Sequence, residues 1–175
     1  MDNSVLQAIH TRRSIRHYDS RQVKDEELQT VLEAGTWAPS GMGYQSPYIV
    51  AVQNSDIIAR LVNLNKRFYQ GTGNPYYDAP TIILVFGPKR ESWRNTVQDA
   101  SLVLGTMMLA AHSIGLGTCW INREIEMFET PEGRELMHEF GLSDDLMGIG
   151  ALSIGYPLRE GRVKSRKADY FRVIK

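Results

Sequence analysis

The stretch from Ser92 to Ile114 constrains this chain most. Read as one helix, it carries Val97, Ala100, Val103, Leu104, Met107, Met108, Ala110, Ala111 and Ile114. That pattern is apolar nearly all round, so the helix must be buried on more than one side. Gly105, Ala110 and Ala111 are small enough to let another helix come close. A chain of 175 residues is one domain's worth, with little interior to spare for such a helix. A dimer interface is the expected outlet. We find no repeat, low-complexity tract or linker, so residues 1–175 read as a single domain.

The other elements follow from capping residues and periodicity. Asn3 or Ser4 caps a first helix over Val5–Arg12. Asp25–Thr36 reads as a second helix with acids in its first turn, stopped by Ala38-Pro39-Ser40-Gly41-Met42-Gly43. Tyr48–Val52 reads as a strand, followed by a helix capped at Asn54-Ser55-Asp56. Gln70–Asp78 is a polar loop. Thr81–Phe86 is an apolar run that suggests a buried central strand. Thr118–Ile121 is a strand candidate, and Pro131 opens a further helix that Gly141 ends. Leu146–Gly155 is the last long strand. Tyr156–Lys175 is a basic tail laid over a surface, with a short closing strand expected at Tyr170–Ile174. Helices and strands mix without strict alternation, which predicts an α+β fold.

Charge excludes several functions. Twenty Lys+Arg balance twenty Asp+Glu, which argues against a general nucleic-acid binder. No run of about 18 apolar residues exists to span a membrane. Met1-Asp2-Asn3-Ser4 lacks a leader layout, and a single cysteine permits no intrachain disulfide. The expectation is a reduced, cytoplasmic protein. The four histidines have no metal-ligand spacing, and neither a Gly-x-Gly-x-x-Gly nor a Gly-x4-Gly-Lys-Ser/Thr loop is present.

Within this neutral chain, both ends are locally basic. Arg12-Arg13-Ser14-Ile15-Arg16 follows the first helix, and Lys164-Ser165-Arg166-Lys167 lies in the tail. Guanidinium forks and a hydroxyl suit a phosphate monoester, and if the tail folds back the two clusters share one anion. The plainer alternative is two solvated basic turns. The loop at Ser40-Gly41 through Gln45 offers close backbone approach and polar side chains, or is an ordinary helix stop. Gly115-Leu116-Gly117-Thr118-Cys119-Trp120-Ile121-Asn122 offers strand-end N–H groups to a planar ligand, or is a tight helix-to-strand turn. Cys119 with His112 is a nucleophile pair only if the cysteine is not simply core.

Taken in order, these features resemble the nitroreductase family of FMN-dependent oxidoreductases, above all its short, single-module members. The resemblance rests on Arg12-Arg13-Ser14-Ile15-Arg16, on Ala38-Pro39-Ser40-Gly41 with Gln45 and Pro47, and on the strand after Ala79-Pro80. It rests also on the small-residue helix, on Gly115 through Ile121 and on the basic tail. It implies an α+β sandwich with a mostly antiparallel sheet flanked by helices, a homodimer with FMN at the interface, and a tail extending over the partner. By resemblance, Arg12, Arg13 and Ser14 hold the FMN phosphate and ribityl chain, Lys164 and Arg166 close on the phosphate, and Arg16 lies at the pyrimidine side. Pro39, Ser40, Gly41 and Gln45 reach the flavin from the other subunit. The backbone at Asn122, with Ile121 and Arg123, sits by flavin N5, and Asn74 is a candidate for the ring edge.

The sequence departs from the family at two places. Gly43-Tyr44-Gln45-Ser46-Pro47-Tyr48 lacks the usual Asn two residues before the Gln and carries one inserted residue before the proline. Asn122-Arg123 stands where Glu-Gly is common. The implied activity is ping-pong transfer of hydride from NADPH or NADH to a small acceptor such as a nitroaromatic, a quinone or a flavin. No side chain is obligatory as acid or base. Rival readings are a non-enzymatic flavin- or nucleotide-binding module and a specialised member such as a reductive dehalogenase.

Overall fold

A computed structural model of the chain describes residues 3–175. Met1 and Asp2, half of the segment read for a leader, lie outside the described residues. The elements run α1 (Ser4–Thr11), α2 (Asp25–Thr36), β1 (Tyr48–Val52), α3 (Ser55–Lys66), β2 (Thr81–Pro88), α4 (Thr96–Ser113), β3 (Gly117–Ile121), α5 (Glu124–Glu129), α6 (Pro131–Glu139) and β4 (Leu146–Gly155). Local chemistry explains the boundaries. The Asn3 side chain accepts from Leu6 N, Asn54 from Asp56 N and Ile57 N, and Thr130 from Gly133 N, each satisfying a helix-start donor.

The four strands form one antiparallel sheet in the order β1-β2-β4-β3. Central β2 is buried on both faces, and its period-two alternation sorts its side chains into two cores. Ile82, Leu84 and Phe86 face Leu61, Tyr76, Phe128 and Leu136 in one cluster. Ile83 and Val85 face Val31, Leu104 and Met107 of α2 and α4 in the other. The fold is therefore an α+β sandwich with helices on both faces of the sheet. Between Val85 and Phe86 the register with β4 shifts from Gly150 to Gly148, a bulge that leaves Ile149 as the extra residue.

Three expectations need correction. The long helix starts at Thr96, not Ser92, because the backbone amides of Ser92 and Trp93 both turn back to Lys89 O. The segment at Tyr170–Ile174 forms no strand; it is exposed and irregular, and an isolated strand has no ladder to stabilise it. α5 was not anticipated: six residues are too few for a periodicity to show, and its helicity comes from packing Met127 and Phe128 into the core. α4 does bury one broad face, yet Leu102 stays 46% exposed and Gly105 opens onto free space. No helix among the described residues is long and apolar enough to cross a membrane.

Candidate functional site

The arginine segment is placed by the edge of the sheet. α1 ends at Thr11, and Arg12 turns out of the helix with φ −56° and ψ 132°. The Arg13 guanidinium donates to His10 O at 2.7 Å and Arg12 O at 2.8 Å, tying off the carbonyl end of α1. The chain then runs parallel to β3, with Ser14 bridged to Thr118 and Ile15 N donating to Thr118 O at 2.9 Å. Tyr18 fixes the following bend by donating to Ile15 O at 2.6 Å, and burial raises its pKa.

The C-terminal tail crosses this segment. Asp19 N donates to Tyr156 O at 2.9 Å and Leu158 N to His17 O at 3.0 Å. Gly161 lies so close that an added β-carbon would collide with Arg13 Cβ and sit 3.1 Å from Ser14 O. Between tail, arginine segment and the turn into β3 lies a cavity of about 580 Å³. Arg12, Arg13, His112, Thr118, Leu158 and Gly161 line it, with Arg159 and Glu160 at the tail side.

The charged part of the cavity wall is mostly basic, with Glu160 at its tail side. Arg12 Nη1 and Arg13 Nε are buried without a hydrogen-bond partner. Orphaned charged donors of this kind cost free energy unless an acceptor arrives. Burial first, then Arg13 and Arg166, hold the Arg12 pKa below its ordinary value. Arg166 is thus within electrostatic reach of Arg12; Lys164 is exposed on the tail and does not line the cavity. His112 is pushed down by burial and by Arg12 and Arg13. Because Thr11 Oγ1 donates to Gln7 O at 2.6 Å, its contact with His112 Nε2 at 2.8 Å requires the ring nitrogen to donate.

The remaining predicted residues fall into four groups. Arg16 donates from Nε to Tyr77 OH at 3.2 Å, its guanidinium 5.6 Å from that ring, and this bond raises its pKa. Ile121 is buried at the end of β3, while Asn122 is exposed and accepts from Trp120 Nε1 at 2.7 Å. Arg123 has φ 89° and ψ 5°, a left-handed backbone that costs a non-glycine residue about 1 kcal/mol or more. Asn74 serves a turn: its Oδ1 accepts from Tyr76 N and its Nδ2 donates to Asp78, both at 2.8 Å.

The Pro39–Gln45 loop does not join the arginine cavity within the chain. Gly41 N donates to Asp99 Oδ1 at 2.8 Å, while Trp93 Nε1 at 2.7 Å and Ser46 Oγ at 3.2 Å take Oδ2. Ser40 Oγ accepts from Gln45 N at 2.8 Å, and Pro39 is exposed. Asp99 sits in the first turn of α4 and His112 in its last. At 1.5 Å per residue, their separation along the axis is ~20 Å.

Sequence reasoning missed Asp99 as the anchor of this loop, Gly161 as the crossing point of the tail, and His112 as a cavity wall. It also missed a buried polar chain. Glu124, wholly buried, accepts from Tyr76 OH at 3.1 Å through Oε1, while Oε2 has no partner. Asn65, also wholly buried, lies 3.3 Å from Tyr76 OH and donates to Asn122 O at 3.2 Å. Burial pushes the Glu124 carboxyl up to about 8. Cys119 is buried and its pKa raised, chiefly by desolvation. With His112 committed to Thr11, the two make no nucleophile pair.

Comparison with known proteins bears on this arrangement. The structure of a Bacteroides fragilis nitroreductase with bound FMN is 30% identical, with a TM-score of 0.89 over 99% of this chain and 100% of that one. An Archaeoglobus fulgidus relative, provisionally named NADH dehydrogenase/NAD(P)H nitroreductase, is 28% identical over 89% of this chain and 86% of its own. The FMN reductase [NAD(P)H] of Bacillus subtilis is 25% identical over 94% of this chain and 70% of its own. The sequence profile of the nitroreductase family matches residues 9–76 and 63–156. The profile spans most of the chain and the Bacteroides fragilis structure superposes over nearly all of it, and the chain belongs to the nitroreductase family.

Proposed function

We propose that residues 1–175 act as one FMN-binding domain of a homodimeric oxidoreductase. It takes hydride from NADPH or NADH and passes electrons to nitroaromatic, quinone or flavin acceptors at the same site in alternation. The observation that carries this reading is the pair of orphaned guanidinium nitrogens, Arg12 Nη1 and Arg13 Nε, at a cavity where both chain ends meet. A phosphate monoester supplies the acceptors they lack. Bound there, FMN would contribute reversible hydride chemistry that no side chain here can supply.

The chain's own groups then have definite tasks. Arg12, Arg13 and Ser14 hold the phosphate end, and Arg166 and Lys164 close over it from the tail. Arg16, fixed by Tyr77, offers positive charge where the reduced ring gathers negative charge. The free edge of β3 at Ile121-Asn122-Arg123 presents backbone groups to the ring, and Asn74 borders it. Pro39, Ser40, Gly41 and Gln45, ~20 Å away along α4, serve the site of the second subunit, over which the exposed tail also extends. A lone buried thiol suits the reducing cytoplasm.

The test is a visible spectrum of the purified protein followed by anaerobic addition of NADPH or NADH. Yellow protein that bleaches within seconds supports the reading. Colourless protein that ignores added FMN, or bound flavin that never bleaches, overturns it.

A further inference from the structure

Resting on the reading above, we propose that Arg123 is a specificity residue: its guanidinium recognises an anionic oxygen group, carboxylate or phosphate, on a reactant that reaches the Asn122–Arg123 end of the site. The backbone gives the first reason. Its φ of 89° is a conformation that glycine adopts freely, yet a long charged side chain is kept there.

That side chain is held for a purpose other than pairing with an acid. Arg123 Nε donates to Asn65 Oδ1 at 2.8 Å, and the guanidinium lies 5.0 Å from the Tyr69 ring centroid. Asn65 is itself immobilised. Its amide nitrogen, with two protons to give, faces Tyr76 OH, Asn122 O and the Met127 sulfur at 3.3, 3.2 and 3.0 Å. No carboxylate among the described residues forms an ion pair with Arg123, although Arg60 on α3 and Arg67 just past its end pair with Glu139 and Glu132. The neighbouring Glu124 carboxyl, pushed up to about 8 by burial, is mostly uncharged at neutral pH and leaves the arginine uncompensated. A fork fixed at Nε keeps its terminal nitrogens for a planar acid. The location fits a reactant rather than the phosphate handle: Arg123 is five residues along from Thr118 in the cavity wall, ~16 Å on an extended chain.

The experiment compares wild type with Arg123→Gly, which relaxes the backbone, and Arg123→Lys, which keeps charge without the fork. Two ratios of kcat/KM are read on flavin-loaded protein: 4-nitrobenzoate against 4-nitrobenzamide, and NADPH against NADH. Each ratio cancels losses common to both compounds. Calorimetric titration with benzoate and benzamide gives a readout independent of turnover. The expected result is a fall of about tenfold in one ratio for Arg123→Gly, partly kept in Arg123→Lys. A fall in the acceptor ratio, with loss of the benzoate preference, assigns the anion to the acceptor; a fall in the donor ratio assigns it to the adenosine 2′-phosphate of NADPH. Both ratios unchanged in a folded, yellow variant overturn the inference while leaving the oxidoreductase reading intact. A wild type that neither holds flavin nor oxidises either nicotinamide overturns both.

Discussion

Arg12 and Arg13 differ from Arg166 in a way that ranks their substitutions. The first two have buried, unpartnered nitrogens, whereas Arg166 reaches Arg12 from an exposed tail. Arg13→Ala should therefore weaken FMN binding by about 1.5–3 kcal/mol, and Arg166→Ala by less, since an exposed charge is screened. Flavin released on dialysis, followed by fluorescence, measures both. Glu124 supports a pH prediction. Its folded pKa is raised from 4.5 to about 8, so the native state holds a proton that the unfolded chain gives up above pH 4.5. Its stabilising contribution is complete below pH 4.5 and falls as pH rises towards 8, by at most about 1.4 kcal/mol per pH unit. Glu124→Gln should remove that slope, and urea unfolding at pH 5 and pH 8 will read it. The basic clusters were legible because a neutral chain makes local charge excess visible at both ends. Glu124 was not, because nothing local distinguishes a buried glutamate from a helix-start acid until α5 is packed against the sheet.

Most elements were legible where burial imposes a period. The apolar run of β2, the caps at Asn54 and Thr130 and the stripe of α2 each announce themselves within a few residues. What the sequence hid depends on distant chain: the trimming of α4 by the Lys89 turn, and the crossing of the tail over α1's exit. That crossing yields a prediction. Gly161→Ala places a methyl group against Arg13 Cβ and Ser14 O, so the tail must lift or the arginine segment must move. Overpacking of this sort costs about 1–3 kcal/mol. The loss should appear mainly in FMN affinity, with little change in thermal melting of the apoprotein, because the two cores lie elsewhere.

For the whole molecule, the surface is as informative as the interior. Trp37 and Met42 are each 81% exposed, and Phe171 and Ile174 are 84% and 83% exposed. Leu102 and the open Gly105 add an uncovered strip on α4. On the proposed homodimer, these exposed apolar groups are candidates for burial against the partner. With the loop and the cavity at opposite ends of α4, the proposed homodimer would let a second copy of this chain complete both. Sedimentation velocity should return a dimer at micromolar concentration, and an active monomer would remove the composite site. The two guanidinium groups that line the cavity under the tail, Arg13 depressing the pKa of Arg12, carry a cellular consequence. If their mutual repulsion is relieved only by a bound dianion, prosthetic-group loading and conformational lifetime become linked quantities. Vitamin scarcity would then be felt as accelerated proteolytic turnover of the polypeptide, before any shortfall in catalytic cycles per surviving molecule.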